Sequence, residues 1–418
     1  MVDEALTRTD ADAPGPTGQV IFVLLWVVIA LIPFPHATTI MEGCYYLAMA
    51  LTLGEIVRHR DVGWLRTPFF LPVAMFSAWA FFGLFFAIDL KTSLHDFRTN
   101  LLEYIALYLA LVRVVDSRKR FLAIVWVLVI SCSLASLIEL YRFYVAGGHS
   151  LSERFILSDS EYPVGEFGFK MFYAAILALA LLRRRRLTGG ELAGALACLV
   201  ALLTTVVMVQ TRAILLAAPF ACLALFWRQK RILWVAVILT LTVGLAVLLH
   251  FRQQDTTTRN GYIARLTINY ISLLVVKDHP LTGIGFGIST YGDSKFIDHQ
   301  AYMARVPKLF RKPDEPISNP HDMWLDVAVR TGLVGLVLFA ALIFTAFREG
   351  WAVATLGGDE EIRMFGGTIV ALLISFCIYG LFQPVFLGHL DMLLCLGLAL
   401  LTCVSRWPPD PDASVWLG

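Results

Sequence analysis

Long apolar runs separated by short polar breaks make up most of this 418-residue chain. A run of about 20 apolar residues is long enough to cross about 30 Å of hydrocarbon as a helix. The pattern therefore predicts an all-α, polytopic membrane protein of about twelve transmembrane helices. The runs cover residues 20–34, 38–57, 69–88, 101–115, 121–145, 169–182, 192–209, 213–227, 232–250, 321–347, 365–384 and 386–404.

The polar breaks divide the chain into five parts. Residues 1–19 form a polar tail, 20–250 hold the first nine helices, and 251–319 form one large loop. Residues 320–405 hold the last three helices, and 406–418 form a second tail. The composition agrees with this division, because a chain that is 58% hydrophobic and only 16% charged cannot present an ordinary soluble surface.

Basic residues in the short loops predict how the chain is oriented. They concentrate around residues 58–66, 113–120, 183–186, 228–231, 348–363 and 406. The positive-inside rule places this rich set in the cytoplasm. The clusters at 183–186 and 228–231 can both be cytoplasmic only if the chain crosses twice between them, which makes 210–212 an outer turn. By the same parity both termini are cytoplasmic, and the loops 89–100, 142–168 and 251–319 face outward.

The residue types that support disulfides, metals or nucleotide loops are not arranged for those purposes. The seven cysteines all fall inside apolar runs, so no disulfide framework is implied. Carboxylates and histidines of the outer loops lack ligand spacing, so no metal site is predicted. The glycine-rich stretch 283–287 follows no strand-helix unit and is interpreted as a flexible loop turn.

The loop 251–319 is too long for a structureless connector. Residues 262–276 show a broad apolar face at helical spacing, which predicts a helix within it. A basic patch follows, formed by Lys308, Arg311 and Lys312. Such a patch suits anionic head groups, although a merely solvated charge run is the commoner explanation.

Three residues of the outer face carry candidate chemistry: Arg212, Arg265 and His321. Asn319 is placed to cap the next helix with Pro320 at its first position. His321 is then expected in the first turn, where the helix dipole disfavours imidazolium and favours a neutral base. The two arginines offer planar cationic forks for a diphosphate. The structural alternatives are a snorkelling charge for Arg212 and a hydrogen-bonded histidine for His321.

Further polar residues line the same predicted face. Lys91 is the best additional phosphate contact, unless it is an ordinary loop lysine. The secondary candidates are His36, Arg98, Gln383, His389 and Asp322.

On these residues the chain resembles the bacterial O-antigen ligases, within the group of O-antigen ligases, O-antigen polymerases and protein O-oligosaccharyltransferases. Arg212 followed by Leu216 is similar to that family's Arg-x-x-x-Leu element. His321 with Gly332 and Gly335 resembles its His-to-Gly signature on the helix after the large loop. Arg265, ahead of the Pro and Gly-rich stretch 279–287, is similar to its loop arginine.

One position departs from the family pattern. The residue after His321 is usually an amide or serine there, and here it is Asp322. Asp322, Asp326 and Arg330 are spaced four apart, so they are expected to form a buried polar stripe or ion pair rather than a catalytic group. Gly332 and Gly335 are expected to allow close helix contact.

The resemblance implies a GT-C-like fold and inverting glycosyl transfer at the periplasmic side of the bacterial inner membrane. The donor would be O-antigen on undecaprenyl diphosphate and the acceptor a sugar hydroxyl of lipid A-core, with membrane lipids around them. His321 would be the base, and Arg212, Arg265 and Lys91 would hold the diphosphate. No cofactor, metal or nucleic acid is expected.

Other functions remain open on the sequence alone. Within the enzyme class they are an O-antigen polymerase, or a ligase that acts on protein hydroxyls. The non-enzyme alternative is a transporter for a lipid-linked oligosaccharide, since about twelve helices also suit secondary carriers.

Overall fold

All regular structure in the described part of the chain is helical. The computed structural model describes residues 15–59, 63–157, 164–252, 258–312, 316–386 and 390–407. Its α-helices are α1 Pro16–Leu31, α2 Thr38–His59, α3 Phe70–Gly83, α4 Leu90–Phe97, α5 Glu103–Val114, α6 Arg118–Leu140, α7 Val164–Leu182, α8 Gly189–Val209, α9 Arg212–Phe226, α10 Lys230–Arg252, α11 Thr258–Asp278, α12 His299–Arg305, α13 Met323–Leu356, α14 Glu360–Gly380 and α15 Leu390–Ser405. The all-α prediction is confirmed, and a helix lies in every predicted apolar run.

Several of these helices are long and apolar enough to cross a membrane, so the chain is a membrane protein. Among the described residues, six segments meet both criteria: Thr38–His59, Arg118–Ala146, Val164–Leu182, Gly189–Val209, Met323–Leu356 and Glu360–Gly380. Four apolar helices are shorter: Pro16–Leu31, Phe70–Phe86, Arg212–Phe226 and Leu390–Ser405. The predicted number of twelve spans stays a prediction.

The centre of the bundle is formed by α7 and α14. In an apolar 18-residue stretch of each helix, 83% of α7 and 78% of α14 is buried inside the protein. Protein rather than lipid therefore surrounds these two helices. Helix α14 packs against α7, α9, α13 and α15. Helices α2 and α8 lie outside this core, because only 11% and 33% of the corresponding stretch is buried in them.

Helix α13 is kinked at Gly332, where the backbone has φ 69° and ψ −175°. The loop that follows α11 inserts at this break: Leu333 N–H donates to the Pro280 carbonyl at 2.8 Å. A Cβ atom on Gly332 would lie 1.9 Å from the Leu281 carbonyl oxygen. Gly332 therefore permits a close contact, as predicted, but with a loop rather than with another helix.

The glycine-rich stretch 283–287 is held by hydrogen bonds on two sides, which corrects the expectation of a flexible turn. Ile284 N–H donates to the Val329 carbonyl at 2.9 Å on α13. Gly287 N–H donates to Ser93 Oγ at 3.1 Å on α4. A Cβ atom on Gly283, which has φ 67°, would lie 2.3 Å from the Val329 oxygen. The stretch is a fixed connection between α4 and α13.

The large loop has a hydrophobic core of its own. Its predicted helix is confirmed as α11, which is longer than the predicted 262–276. Apolar side chains from α11 and from the segments after it form a second buried cluster, which α13 completes with Ala328 and Val329. Arg311 of the basic patch donates to the Val306 and Ala304 carbonyls, each at 2.7 Å, so it serves the loop structure rather than a head group.

Candidate active site

Arg212 begins α9 immediately after the turn that ends α8. Gln210 has φ 54°, a left-handed conformation that stops α8, and Thr211 precedes the first turn of α9. Two residues thus suffice to separate the two helices, as the predicted turn at 210–212 requires. Arg212 is exposed.

Arg265 lies on α11 and is close enough to Arg212 for the two charges to act on each other. Partial desolvation lowers the pKa of Arg265, the charge of Arg212 lowers it further, and Tyr379 raises it. In the described part of the chain neither arginine forms an ion pair. Two like charges held together without a carboxylate raise the energy of the empty site, and a bound anion would offset that cost.

Polar groups from three further segments converge beside these arginines. A Cβ atom on Gly165, at the start of α7, would lie 3.2 Å from Tyr379 Oη, 3.8 Å from Thr211 Oγ1 and 3.9 Å from Gln383 Nε2. Thr211 Oγ1 is buried, and among the described residues it has no hydrogen-bond partner. The structure thus brings the secondary candidate Gln383 to the end of the bundle that holds Arg212 and Arg265.

His321 precedes α13, and the prediction that it lies in the first turn is wrong. The N-cap is Asp322, whose carboxylate accepts from Trp324 N–H at 2.9 Å and Leu325 N–H at 3.0 Å. Asn319 does not cap the helix and instead donates to Ser318 Oγ at 3.3 Å. The reason is the acidic side chain: a carboxylate at 322 satisfies two free N–H groups and starts the helix there. His321 therefore does not lie in the first turn, where the helix dipole was expected to disfavour its imidazolium form.

The start of α13 packs against the end of α14. A Cβ atom on Gly380 would lie 2.9 Å from Met323 Sδ and 3.0 Å from Met323 Cβ. Gly380 is the neighbour of Tyr379, which acts on Arg265. His321, two residues before Met323 and half-buried, therefore lies at the same end of the bundle as the two arginines.

The remaining sequence candidates have different surroundings. Arg98 is exposed and pairs with Glu103 at 3.7 Å, and its part in the site stays a prediction. Lys91 is exposed in the first turn of α4, and His36 is exposed in the short helix Pro35–Ala37. His389 lies outside the described residues.

The stripe on α13 is a buried ion pair, as predicted. Arg330 donates to the Asp326 carboxylate at 2.6 Å, and both side chains are almost fully buried. Arg330 also donates to the Phe286 carbonyl at 3.1 Å, which ties the glycine-rich stretch to α13. Asp322 belongs to the helix cap rather than to this pair.

A buried polar cluster on α7 and α15 contains an ion pair that the sequence reasoning missed. Glu166 and Lys170 form an ion pair at 2.7 Å, with side chains 5% and 1% exposed. Asp391 is buried on α15, and the charge of Glu166 acts on it and on Tyr379. A Glu and a Lys four apart in an apolar run are a readable signal, because ionisable residues inside a membrane helix are usually functional.

In the described residues, no group of three or more His, Cys, Asp or Glu side chains could hold a metal ion. The seven cysteines are free. Arg212 and Arg265 are cations at this end of the bundle, and His321 lies at the same end. The apolar helices define a polytopic membrane protein, and these three residues are its candidate site.

The sequence of the same region matches a known family. Residues 197–340 match the family model for O-antigen ligase. The match spans the two arginines, His321 and the kink glycine. Members of this family are glycosyltransferase-like enzymes of ligase or polymerase type. A comparison with curated proteins found no match.

Proposed function

We propose that this protein is an inverting glycosyltransferase that moves O-antigen polysaccharide from undecaprenyl diphosphate to a sugar hydroxyl of lipid A-core. The observation that carries the proposal is the pair of neighbouring arginines, Arg212 and Arg265, without a carboxylate partner among the described residues. The reaction takes place on the periplasmic side of the bacterial inner membrane, with both termini in the cytoplasm and the loop 251–319 covering the site.

The arginines hold the diphosphate of the donor. Guanidinium groups bind phosphate oxygens through paired charge-assisted hydrogen bonds. When the bond between the anomeric carbon and the diphosphate oxygen breaks, negative charge grows on the leaving group, and the two cations stabilise it. Thr211 and Tyr379 offer hydroxyl donors beside them. No divalent metal is needed for this charge, so turnover should survive a chelator.

His321 takes the proton from the acceptor hydroxyl. The oxygen attacks the anomeric carbon from the face opposite the diphosphate, so the configuration inverts as the new bond forms. The proton remains on the imidazole until water removes it, and undecaprenyl diphosphate is released. General base catalysis of this kind contributes roughly 10²- to 10⁴-fold to the rate.

The test is transfer by purified full-length protein, supplied with a synthetic lipid-diphosphate glycan and lipid A-core in detergent. His321→Ala should lower the rate by roughly 10²- to 10⁴-fold. His95→Ala, which removes an exposed histidine from α4, is the matched control and should leave the rate unchanged. Full activity of the His321→Ala protein would remove the base from the mechanism. Absence of product with every acceptor would favour a carrier.

The acceptor is tested in cells that lack the gene. Loss of capped lipopolysaccharide with accumulation of free polymer supports ligation to lipid A-core. Shortened chains that are still attached would instead assign the protein as a polymerase, and loss of glycan from proteins would assign a protein ligase.

A further inference from the structure

A second cationic site lies at the other end of the bundle. A cavity of about 790 Å³ opens where α7 and α9 end, beside the end of α13 and the start of α14. Helix α9 begins at Arg212 and ends at Phe226, which puts the two ends about 20 Å apart at 1.5 Å per residue. The cavity is therefore separate from the site described above. Its volume is in the range of small-molecule sites, about 300 to 1,000 Å³.

The wall of this arginine cavity has an excess of positive charge. Seven arginines line it, at 118, 183, 184, 185, 186, 228 and 363, against three carboxylates, Asp359, Glu360 and Glu361. The carboxylates are already engaged: Arg118 pairs with Asp359 and Glu361, Arg184 with Glu361, and Arg185 with Glu360.

Four of the seven arginines form no ion pair within the described residues: Arg183, Arg186, Arg228 and Arg363. Arg183 donates to the Leu225 carbonyl at 2.7 Å, and Arg363 to the Gly357 carbonyl at 3.0 Å. The Nε atoms of Arg183 and Arg363 are buried, and no described group accepts from them. A buried cationic donor without an acceptor is costly, so the cavity is built for an anion.

The aromatic residues at the rim indicate the depth of a lipid head group. Trp227 and Trp351 pack with ring centroids 5.2 Å apart, and Trp351 is half exposed. Tryptophan is enriched at the membrane–water interface. The Arg228 guanidinium lies over the Trp227 ring, 5.0 Å from its centroid. Phe220 and Leu223 are exposed one turn apart on α9, the helix that ends at the cavity, and they offer apolar surface for acyl chains.

We propose that this arginine cavity binds the phosphate head group of an anionic phospholipid. Basic pockets between membrane helices on the cytoplasmic side are suited to such head groups, and the excess arginines would neutralise the phosphate. A soluble diphosphate has the same anionic chemistry but no acyl chains, and the exposed apolar surface beside the tryptophans distinguishes the two ligands. The site is independent of the proposed glycosyl transfer.

The test titrates full-length protein in detergent with phosphatidylglycerol or phosphatidylcholine and counts bound lipid by native mass spectrometry. The double variant Arg186→Gln, Arg228→Gln should bind phosphatidylglycerol about thirtyfold more weakly. Arg348→Gln is the matched control, because Arg348 lies near the end of α13, pairs with Glu349 and does not line the cavity. Its affinity should equal that of the wild type.

A variant with the opposite sign separates binding from folding defects. Glu360 is exposed and pairs with Arg185, so Glu360→Gln should tighten phosphatidylglycerol binding about fivefold. Unchanged binding in both the double variant and the Glu360→Gln variant would overturn the proposal. Equal binding of phosphatidylcholine would also overturn it. Displacement of phosphatidylglycerol by an equal concentration of inorganic pyrophosphate would assign the cavity to a soluble anion instead.

Discussion

At the scale of single residues, Tyr379 shows what the sequence alone could not reveal. It lies in an apolar run, where a tyrosine resembles any large core residue, yet it acts on Arg265 and its hydroxyl lies near Thr211 and Gln383. Arg212 and Arg265 could be singled out, because charged residues are visible in the sequence between or beside apolar runs. Tyr379 could not be, because its position depends on how α14 packs against α7.

Tyr379→Phe should lower kcat/KM for the donor by about 10- to 100-fold, because it removes a hydroxyl that is expected to bind the diphosphate. This fold-change corresponds to the free energy of one hydrogen bond to a charged group. The ring stacks on Phe169 with centroids 4.3 Å apart, and phenylalanine preserves that contact. The measurement is steady-state transfer with varied donor. Tyr173→Phe, which removes another buried hydroxyl, is the control and should retain kcat/KM. Normal kinetics for Tyr379→Phe would exclude the contact.

Asp322 gives a prediction about stability. Burial raises its pKa above that of an ordinary aspartate, and the charge of Asp326 adds to this, although two backbone N–H groups lower it. Because the folded pKa is higher than the unfolded pKa, folding is favoured at low pH, and this contribution is lost as pH rises from about 3.8 through the folded value.

Asp322→Asn keeps a good N-cap and removes that pH dependence, whereas Asp322→Ala should cost about 1 kcal/mol of unfolding free energy. Thermal unfolding in detergent across pH tests both changes. An Asp322→Asn protein that is as unstable at neutral pH as Asp322→Ala would show that the charge, and not the cap, is what α13 needs.

At the scale of elements, the apolar pattern predicted where the helices lie but not how α13 bends. The bend requires the segment after α11 to insert at Gly332, and nothing local in the sequence indicates that distant partner. Trp79 stabilises the broken turn by donating to the Thr331 carbonyl at 2.9 Å. Helix α13 also begins later than predicted, because Asp322 rather than Asn319 caps its first N–H groups.

Gly332→Ala should lower the free energy of unfolding by at least about 2 kcal/mol, because alanine at φ 69° is strained and its Cβ would meet the Leu281 carbonyl. Gly194→Ala is the matched control. A Cβ atom on Gly194, on α8, would meet no neighbouring group within 4 Å. Alanine there should therefore leave the free energy of unfolding unchanged or raise it. Denaturation of both variants in the same detergent compares them, and equal stability would contradict the account of the kink.

At the scale of the whole molecule, the orientation rests on the charged loops. Within the part of the chain that the structure describes, length and apolarity identify six helices that could span a membrane, whereas the pattern predicted about twelve. Shorter helices such as α9 and α15 fall below the length of a full crossing. The all-helical class could be predicted because apolar runs of this length permit little else in a membrane.

The orientation predicts which residues an impermeant reagent reaches in intact cells. A Ser152→Cys variant, in the outward loop 142–168, should react with a charged maleimide from outside. A Leu356→Cys variant, at the exposed end of α13, should react only after the cells are permeabilised. The seven native cysteines lie within helices, and labelling of the wild type measures how much they react with the maleimide. The reverse labelling pattern would invert the orientation and remove the periplasmic site.

Arg212 and Arg265 are proposed to bind the diphosphate of the donor together. The affinity of purified protein for undecaprenyl diphosphate tests this, measured for the wild type, Arg212→Gln, Arg265→Gln and the control Arg305→Gln. Arg305 lies in the same loop but is paired with Asp278. Each of the first two variants should bind at least about tenfold more weakly, and Arg305→Gln should bind as the wild type does. Wild-type affinity in both Arg212→Gln and Arg265→Gln would contradict the account.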